Sequence, residues 1–373
     1  MVIPQSMPGS FEVLGTLLEV CPSSSRPIPG ITEGLPGMIE PCRVLPTHTR
    51  SLFDAAIREA TKLLRAGEAV ALPTETVYGL AANAFDAAAV ARVFAAKGRP
   101  NSNPIIVHVA GLDLARRCVT HWPPLAESLA AAFWPGPLTL VLSRSRGIPD
   151  IVTAGGLTVG IRWPRHPVME AVIAACGFPL AAPSANLSGE ASPTTAEHVR
   201  KHLGQKIPLV LDGGAATVGI ESTVLDLTTS PPRLLRPGMI HLDSLAAVAG
   251  DVASADTTGD NTLRSPGLLQ KHYAPRAKLV VCSWKDDADL KSQISNLKFE
   301  IPSTHVLTHT RAPVEAGYAQ VCVLPRDPDA FGRAMYAEWH RSDEAGAKLI
   351  IVEAPPAGIQ WQAIADRLRR AAK

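Results

Sequence analysis

The side chains of this sequence that could do chemistry stand in short polar segments between apolar stretches. The segment 97–104, Lys-Gly-Arg-Pro-Asn-Ser-Asn-Pro, crowds two cations and two amides into one predicted loop. Two further cations, Arg162 and Arg236, stand at the ends of predicted strands. Guanidinium and ammonium groups interleaved with hydroxyls hold polyanions through charge-assisted hydrogen bonds. The pattern therefore predicts a polyanion-binding site.

Each polar segment, taken singly, also has a plainer interpretation. The segment Pro73–Leu80, Pro-Thr-Glu-Thr-Val-Tyr-Gly-Leu, fits a turn that caps the next helix, and 97–104 fits a solvated basic turn. Thr194 and Glu197 form a capping box, in which case Ser192 is only the turn residue before a helix. The combination of these segments in one domain is what favours a binding site over a set of turns.

Several familiar kinds of site find little support in the sequence. It contains no Walker loop, so a nucleotide would need a non-standard site, and no serine lies in a Gly-x-Ser-x-Gly elbow. His198 and His202 are four residues apart on a predicted helix and could share a metal, but that helix is otherwise polar, which favours solvated histidines. The six cysteines include no closely spaced pair and indicate neither a zinc knuckle nor a redox motif.

The elements that must position these segments alternate between helix and strand. A helical repeat from residue 51 ends at Gly67, a strand follows at 69–72, and Asp86 caps an alanine-rich helix to about residue 96. Further strands are predicted at 104–109, 138–142, 158–162, 208–212, 223–227 and 233–236. The alternation predicts an α/β fold, and the close spacing of the strands after residue 205 predicts a mixed sheet.

The 373 residues exceed the roughly 100–200 residues of one typical domain, and the composition changes along the chain. The proline-rich residues 1–45 indicate a poorly ordered extension, 46–245 a first domain, and 246–275, rich in Asp, Thr, Ser and Gly, a linker. Residues 276–373 indicate a smaller Rossmann-like α/β domain without a Gly-x-Gly-x-x-Gly segment, so no nucleotide site is predicted there. Its strands are predicted near 278–282, 305–308, 320–324 and 348–352, and its helices near 287–298, 328–345 and 360–371.

The overall composition excludes some classes of protein. Hydrophobic residues make up 46% and charged residues 19% of the sequence, which is typical of a globular protein. The net charge of +2 argues against a protein that coats nucleic acid. No uncharged apolar run approaches the ~18 residues of a membrane span, and the beginning of the chain does not have the pattern of a signal peptide. Together with the isolated cysteines, these features predict a cytoplasmic protein with no membrane partner.

Six segments of the first domain together resemble the YrdC-type threonylcarbamoyl-AMP synthase family. They occur in the order of the family and with similar gaps: Pro73–Leu80, the pair Lys97 and Arg99, Trp134–Thr139, Pro183–Asn186, Glu221–Thr223 and Arg236–Gly238. The segment 265–275, Ser-Pro-Gly-Leu-Leu-Gln-Lys-His-Tyr-Ala-Pro, resembles the longer, two-domain form of the family. The resemblance covers about 46–373. It implies a twisted mixed sheet with flanking helices and a concave basic cavity, followed by the smaller Rossmann-like domain.

The resemblance also implies a reaction. Members of the family make threonylcarbamoyl-AMP and pyrophosphate from L-threonine, bicarbonate or CO2 and ATP, for a modified adenosine in tRNA. The carbamate of threonine attacks the α-phosphate of ATP, with no covalent protein nucleophile. Mg2+ is expected to arrive with ATP, and no tightly bound organic cofactor is implied. The implied partners are the three substrates and a downstream tRNA threonylcarbamoyltransferase, with at most weak contact to tRNA.

Matched by motif, the resemblance assigns residues to two subsites. The implied catalytic pair is Lys97 and Arg99. The implied threonine site comprises Thr76, His108, Arg162, the backbone at Ala182, and Ser222. The implied ATP site comprises Arg99, Asn103, Thr158, Ser184, Asn186, Ser192, Arg236 and Tyr273. Because Tyr273 lies at the far end of the linker, the linker is expected to fold back across the first domain as a lid.

Two other functions stay open at this point. The family fold has a concave basic surface and a link to tRNA, so an RNA-binding module is the main rival, although no basic run with interleaved aromatics is present. A carbamoyl-transfer maturation protein shares the same domain, but it is expected to add zinc-binding cysteine pairs and further domains, and neither is visible in the sequence. Pyrophosphate release that depends on threonine and bicarbonate would separate the synthase from these rivals.

Overall fold

The computed structural model describes residues 42–254, 273–314 and 317–372 of the chain. Its strands are β1 (Arg43–Pro46), β2 (Val70–Leu72), β3 (Gly79–Asn83), β4 (Val107–His108), β5 (Leu138–Ser143), β6 (Thr158–Arg162), β7 (Leu180–Ala181), β8 (Leu209–Asp212), β9 (Thr223–Asp226), β10 (Arg233–Arg236), β11 (Ala253–Ser254), β12 (Lys278–Cys282), β13 (Thr304–Thr308), β14 (Gln320–Val323) and β15 (Leu349–Glu353). Its α-helices are α1 (Arg50–Arg65), α2 (Ala87–Lys97), α3 (Leu112–Arg117), α4 (Pro124–Phe133), α5 (Asp150–Thr153), α6 (Pro167–Cys176), α7 (Ala196–Leu203), α8 (Leu242–Ala249), α9 (Asp287–Asn296), α10 (Pro328–Glu344) and α11 (Gln362–Ala371).

Within the described ranges, eleven strands form a large sheet in the order β1-β8-β2-β3-β7-β4-β6-β5-β9-β10-β11. The pair β5–β9 is parallel and the pair β5–β6 is antiparallel, so the predicted mixed sheet is confirmed. Helix α1 begins at a Thr49 cap and turns Ala56, Ala60 and Leu64 into the core, because these residues recur at helical spacing. The sheet with its flanking helices is the expected α/β architecture.

Strand β1 corrects the predicted N-terminal boundary. The sequence assigns residues 43–45 to a poorly ordered extension, whereas Arg43–Pro46 pairs in parallel with Leu209–Asp212 at the edge of the large sheet. The prediction was wrong because a short, half-exposed edge strand is held by main-chain hydrogen bonds, which leave no hydrophobic period in the sequence. Residues 1–41, the rest of the predicted extension, lie outside the described residues.

The predicted linker also begins too early. Residues 246–249 continue helix α8, whose Leu245 is fully buried, and β11 pairs in parallel with β10. These elements are short and rich in alanine and serine, so their periodicity is too weak to be recognised beside the glycines and aspartates that follow. Residues 255–272 lie outside the described residues, so the predicted lid stays a prediction there.

A second sheet, the small sheet, lies in the C-terminal part of the chain. Over the residues described there, it consists of four strands in the order β12-β15-β13-β14, and every neighbouring pair is parallel. The predicted strands and helices of this domain are confirmed to within about two residues at most boundaries. Helix α10 buries Phe331, Tyr336 and Trp339 in its core. The described helices include none with the length and apolar character needed to cross a membrane.

Helix α10 also packs against the large-sheet domain. A Cβ atom added to Gly219, which has a φ of +82°, would lie 2.4 Å from Arg333 Cα, so only glycine fits this contact. The rings of His198 and His340 stack with centroids 4.0 Å apart, and the ring of His202 meets His340 edge-on at 5.1 Å. The prediction that His198 and His202 are solvated is therefore wrong. Both pack against His340 of helix α10 in the second domain, and a contact between domains leaves no pattern in the local sequence.

Candidate active site

A concave cavity opens on the large sheet where β3, β4, β6 and β7 meet the loops around residues 74–77 and 221–222. Its open space, including the mouth, is about 520 Å³. Three arginines and one glutamate are the charged residues of its lining, which agrees with the expected concave basic cavity. The lining comprises Thr74, Thr76, Val77, Gly79, Arg99, Ile106, His108, Arg162, Ala182, Pro183, Ser184, Glu221, Ser222, Arg236 and Tyr273.

Arg162 ends strand β6 with its guanidinium group in the cavity wall. Its Nη1 donates to Thr76 Oγ1 at 2.8 Å, its Nε donates to Gly136 O at 3.2 Å, and its Nη2 lies 2.7 Å from Glu75 Oε2. Thr74 Oγ1 accepts the backbone N–H of Thr76 at 3.1 Å and so fixes the loop that carries Thr76. A guanidinium held in this way has N–H groups left over for a planar carboxylate.

His108 lies beside Arg162 as its register partner across the parallel pair β4–β6. Burial, and then the positive charge of Arg162, lowers the pKa of the His108 imidazole to about 3. The ring is therefore neutral near pH 7. Among the described residues, its Nδ1 has no hydrogen-bond partner. A buried polar atom of this kind on a cavity wall is suited to a hydroxyl or amine of a ligand.

A second guanidinium cluster forms around Arg236 at the end of β10. Arg236 Nε donates to Ser222 O at 3.0 Å and Nη2 donates to Ser222 Oγ at 3.1 Å. The Nη1 group donates to the hydroxyl of Tyr273 at 3.2 Å. Ser222 Oγ also lies 2.8 Å from Thr139 Oγ1. Tyr273, which follows the undescribed residues 255–272, is thus brought back to the wall of the first domain.

Lys97 and Arg99 are almost fully buried, so the solvated-turn interpretation of 97–104 is wrong. Lys97 Nζ donates to the carbonyl oxygens of Ser184 and Asn186, and burial, followed by repulsion from Arg99, holds the pKa of Lys97 well below its usual range. Arg99 Nε donates to Asn103 O at 3.1 Å, while its side chain lines the cavity. Arg99 therefore faces the cavity, and Lys97 supports the 184–186 loop behind it.

The structure brings most of the predicted site residues to one place. Those that line the cavity are Thr76, Arg99, His108, Arg162, Ala182, Ser184, Ser222, Arg236 and Tyr273. Those outside the lining are Lys97, Asn103, Thr158, Asn186 and Ser192. The main-chain carbonyl of Asn103 and the hydroxyl of Ser192 each bond a lining residue, Arg99 and Glu221 respectively. Thr158 stands at the opposite end of β6 from the cavity, roughly 13 Å along the strand.

Glu221 is an acidic wall residue to which the sequence analysis gave no role. Its carboxylate accepts from Ser192 Oγ at 2.5 Å and from Arg367 Nε at 2.7 Å. Burial opposes its charge, but Arg367 and Arg236 outweigh burial, and the pKa of Glu221 is lowered. One signal was available: Arg367 stands four residues after Ala363 and three after Ile364, on the apolar face of α11, where a cation needs a buried anion.

Comparison with known proteins identifies the family. Residues 62–238 match the Sua5/YciO/YrdC family model, described as "Telomere recombination", and residues 240–373 match the one described as "Threonylcarbamoyl-AMP synthase, C-terminal domain". The threonylcarbamoyl-AMP synthase of Pyrococcus abyssi is 39% identical to this chain over 320 residues, which cover 84% of this chain and 93% of the relative. The chain belongs to the threonylcarbamoyl-AMP synthase family.

Other members of the threonylcarbamoyl-AMP synthase family agree with this assignment. The Bacillus subtilis enzyme is 40% identical over 331 residues, which cover 87% of this chain and 95% of the relative. The crystal structure of P. abyssi Sua5 with L-threonine superposes with a TM-score of 0.80 at 35% identity, covering 88% of this chain and 96% of that one. The family and the two-domain fold predicted from the sequence are thus confirmed.

Proposed function

We propose that this synthase joins L-threonine, bicarbonate or CO2 and ATP into threonylcarbamoyl-AMP and pyrophosphate within the cavity, and that the product serves tRNA modification. The observation that carries the proposal is one cavity that presents the guanidinium groups of Arg99, Arg162 and Arg236 between hydroxyl groups. A carboxylate and a triphosphate together carry the kind of charge that such an array binds. The synthase activity named for the relatives from P. abyssi and B. subtilis supports it.

We place threonine in the half of the cavity around Arg162. Arg162 would hold its carboxylate, and neutral His108 with Thr76 would meet its polar groups. The N–H of Ala182 already donates to Ile106 O at 3.0 Å, so the carbonyl is the backbone group of Ala182 proposed to accept from the amine. Ser222 Oγ completes the proposed set. The L-threonine bound in P. abyssi Sua5 supports a threonine site in this family.

We place ATP on the side of the cavity lined by Arg99 and Arg236. Their guanidinium groups would meet the phosphate oxygens. The wider set proposed to hold the nucleotide is Asn103, Thr158, Ser184, Asn186, Ser192 and Tyr273. Lys97 acts in this proposal through the 184–186 loop, because its Nζ donates to that loop and its side chain lies outside the cavity lining. The distance of Thr158 from the cavity end of β6 is compatible with contact to an extended nucleotide rather than to threonine.

The proposed reaction needs a neutral threonine amine. The amine nitrogen attacks the carbon of CO2 and loses a proton, which leaves a carbamate. A carbamate oxygen then attacks the α-phosphorus while the bond to the bridging oxygen of pyrophosphate breaks. Burial beside Arg162 disfavours a second positive charge, so the pKa of the bound amine is lowered. Arg99 and Arg236 stabilise the negative charge that spreads over the phosphate oxygens.

Mg2+ enters this proposal as part of the ATP substrate. Over the described residues, no group of three or more His, Cys, Asp or Glu side chains could hold a metal ion. The carboxylate on the cavity wall, Glu221, already accepts hydrogen bonds from Ser192, Tyr336 and Arg367. A metal bound there would displace these donors, so the residues fit a cation carried by phosphates better than a resident ion. No organic cofactor is proposed.

The proposal is tested by measuring pyrophosphate release from ATP with the purified full-length chain. We expect release to require both L-threonine and bicarbonate, with threonylcarbamoyl-AMP recovered in equal amount. An Arg162→Met variant, which loses the proposed carboxylate partner, serves as the matched inactive control. Tight RNA binding without such turnover would instead favour the RNA-binding module. Turnover that ignores threonine would refute the proposed substrate.

The partners beyond the substrates stay predictions. A downstream tRNA threonylcarbamoyltransferase is proposed as the recipient, because a mixed anhydride hydrolyses easily and must be handed over quickly. Direct contact with tRNA is expected to be weak, since the net charge is +2. From the sequence we also propose a cytoplasmic location.

A further inference from the structure

Arg367 of the C-terminal domain contacts Glu221, a residue of the cavity wall. Arg367 of helix α11 is fully buried, and its Nε lies 2.7 Å from Glu221 Oε2. Its Nη2 donates to Glu221 O at 3.3 Å, and its Nη1 donates to Pro237 O at 3.0 Å. One guanidinium group therefore holds both the side chain and the main chain of a wall residue. The same group anchors the turn that follows Arg236.

Glu221 receives a second donor from the C-terminal domain. The hydroxyl of Tyr336 on helix α10 lies 3.3 Å from Oε1 and 3.2 Å from Oε2 of Glu221. With Ser192 Oγ at 2.5 Å, the carboxylate is thus surrounded by donors from two domains. The residue after Glu221 is Ser222, whose hydroxyl and carbonyl are held by Arg236. A shift of Glu221 would therefore move the Ser222–Arg236 cluster.

Arg367 also contacts Tyr273, another residue that lines the cavity. Its Cζ lies 5.3 Å from the centroid of the Tyr273 ring, a distance that allows a cation–π interaction. The hydroxyl of the same tyrosine accepts from Arg236 Nη1 at 3.2 Å. The close contact between Gly219 and Arg333 fixes the loop before Glu221 against helix α10. The loop therefore has the cavity on one side and the C-terminal helices on the other.

We propose that Arg367 and Tyr336 are positioning residues for the reaction, acting through Glu221 and Tyr273 to hold Arg236 in place for ATP and, to a smaller extent, Ser222 of the threonine set. The proposal deepens the proposed function and rests on it. Arg367 Nη1 also donates to Asp366 Oδ2 at 3.0 Å, but Asp366 accepts from Arg369 and Arg370 as well. Removing Arg367 would therefore leave Glu221 as the buried carboxylate without its paired cation, beside the subsite for the phosphates. That carboxylate would repel ATP and compete for Arg236. Binding of ATP should suffer more than binding of threonine.

The experiment compares four variants of the full-length chain. Arg367→Met removes the cation, the double variant Glu221→Gln with Arg367→Met removes both charges, and Tyr336→Phe removes one hydroxyl. Glu353→Gln is the control: this buried carboxylate of the same domain accepts from Thr308 Oγ1 at 2.5 Å and lies outside the cavity lining. For each variant, kcat, the KM values for ATP and threonine, ATP affinity by titration calorimetry, and the melting temperature are measured.

We expect Arg367→Met to raise the KM for ATP by about tenfold or more, with a smaller change for threonine. The double variant should recover part of this loss, and Tyr336→Phe should shift the KM for ATP in the same direction by less. Glu353→Gln should lower the melting temperature and leave both KM values unchanged. This split separates positioning from general stability, because a merely structural role would affect Arg367→Met and Glu353→Gln alike.

The inference is overturned if folded Arg367→Met keeps the wild-type KM for ATP and kcat, or if Glu353→Gln changes the KM for ATP as strongly. If Arg367→Met does not fold, Tyr336→Phe decides, and wild-type kinetics in that variant overturn the inference. Wild-type protein without threonine-dependent turnover would refute the proposed function instead. In that case the affinity for ATP is compared between wild type and Arg367→Met. A weaker affinity in the variant shows that Arg367 contributes to ATP binding, and an equal affinity overturns the inference.

Discussion

Arg162 Nη1 donates a 2.8 Å hydrogen bond to Thr76 Oγ1, although 86 positions separate the two residues in the sequence. The bond joins the end of β6 to the loop before β3. It also orients the guanidinium group before any ligand is present, together with Gly136 O and Glu75 Oε2. A cation that is already ordered loses less conformational freedom when a carboxylate binds.

The first prediction tests this arrangement. Arg162→Lys should raise the KM for threonine by about tenfold or more, because an ammonium group cannot reproduce the planar fork. The KM for ATP should stay within about twofold. Steady-state kinetics with each substrate varied in turn provide the measurement. Arg144→Lys, at an arginine that pairs with Asp150 outside the cavity lining, is the matched control. A rise in the KM for ATP alone would mean that the two subsites are reversed.

The second prediction concerns Arg99. Arg99→Ala should depress threonylcarbamoyl-AMP formation by more than about tenfold, because a phosphate contact is lost. The sequence suggested an exposed loop and hence an intact fold, but Arg99 is buried and donates to Asn103 O and Pro104 O. We therefore expect a lower melting temperature as well. Turnover is measured well below that temperature, and wild-type turnover there would exclude Arg99 from the site.

The sequence is informative where one element carries its own signal. The strand 158–162 alternates buried and half-buried residues before Arg162, and its bounds were predicted correctly. Strand β3, Gly-Leu-Ala-Ala-Asn, was missed because it contains no β-branched or aromatic residue. Its place between β2 and β7 is decided by its neighbours in the sheet.

The residues that hold the site in place were less predictable from the sequence than the residues that line it. The cavity residues lie in motifs that resemble a family, so Arg162, Arg236 and Tyr273 could be named in advance. Glu221 and Arg367 are 146 positions apart. The place of Arg367 on the apolar face of α11 indicates a buried cation, but nothing local identifies Glu221 as its partner among the 34 aspartates and glutamates of the chain. Pairings between domains depend on tertiary packing, which periodicity does not record.

The third prediction concerns the contact between the two domains. Gly219→Ala should destabilise the protein by about 1–3 kcal/mol, because the new Cβ would lie 2.4 Å from Arg333 Cα. Gly250→Ala is the control, since Gly250 also has a positive φ, +73°, but nothing within 4 Å of the added atom. The free energy of unfolding is measured with denaturant. Equal losses in both variants would show that backbone strain alone accounts for the effect.

The fourth prediction concerns the histidines between α7 and α10. Burial lowers the pKa of His340 to about 4 and, with repulsion from His340, that of His198 to about 3. In the unfolded chain both would titrate near 6.5. Between about pH 6.5 and pH 4 the unfolded state therefore binds more protons, and the free energy of unfolding falls as the pH falls. Above this range the two groups have no effect on the pH dependence of stability.

The measurement is denaturant unfolding at about pH 7.5 and about pH 5, values on either side of the ordinary histidine pKa. His340→Gln should reduce the loss of stability between the two conditions relative to wild type. His121→Gln, at an exposed histidine, should leave it unchanged. The acids near the cluster, Glu190, Asp343 and Glu344, are kept in both variants, and His340 makes only a minor contribution to the lowered pKa of Glu190. Identical pH dependence in wild type and His340→Gln would contradict the prediction.

The Glu221–Arg367 pair also has a consequence for how the two halves of such proteins evolve. A hybrid that joins the catalytic half of this chain to a C-terminal half without an arginine equivalent to Arg367 would inherit a buried carboxylate and no cation for it. Replacing Glu221 or Arg367 alone is expected to destabilise the protein, because the other charge stays buried without its partner. Replacing both residues together avoids this unpaired charge. The two halves are therefore expected to exchange as a matched set, and substitutions at these two positions should occur in the same lineages.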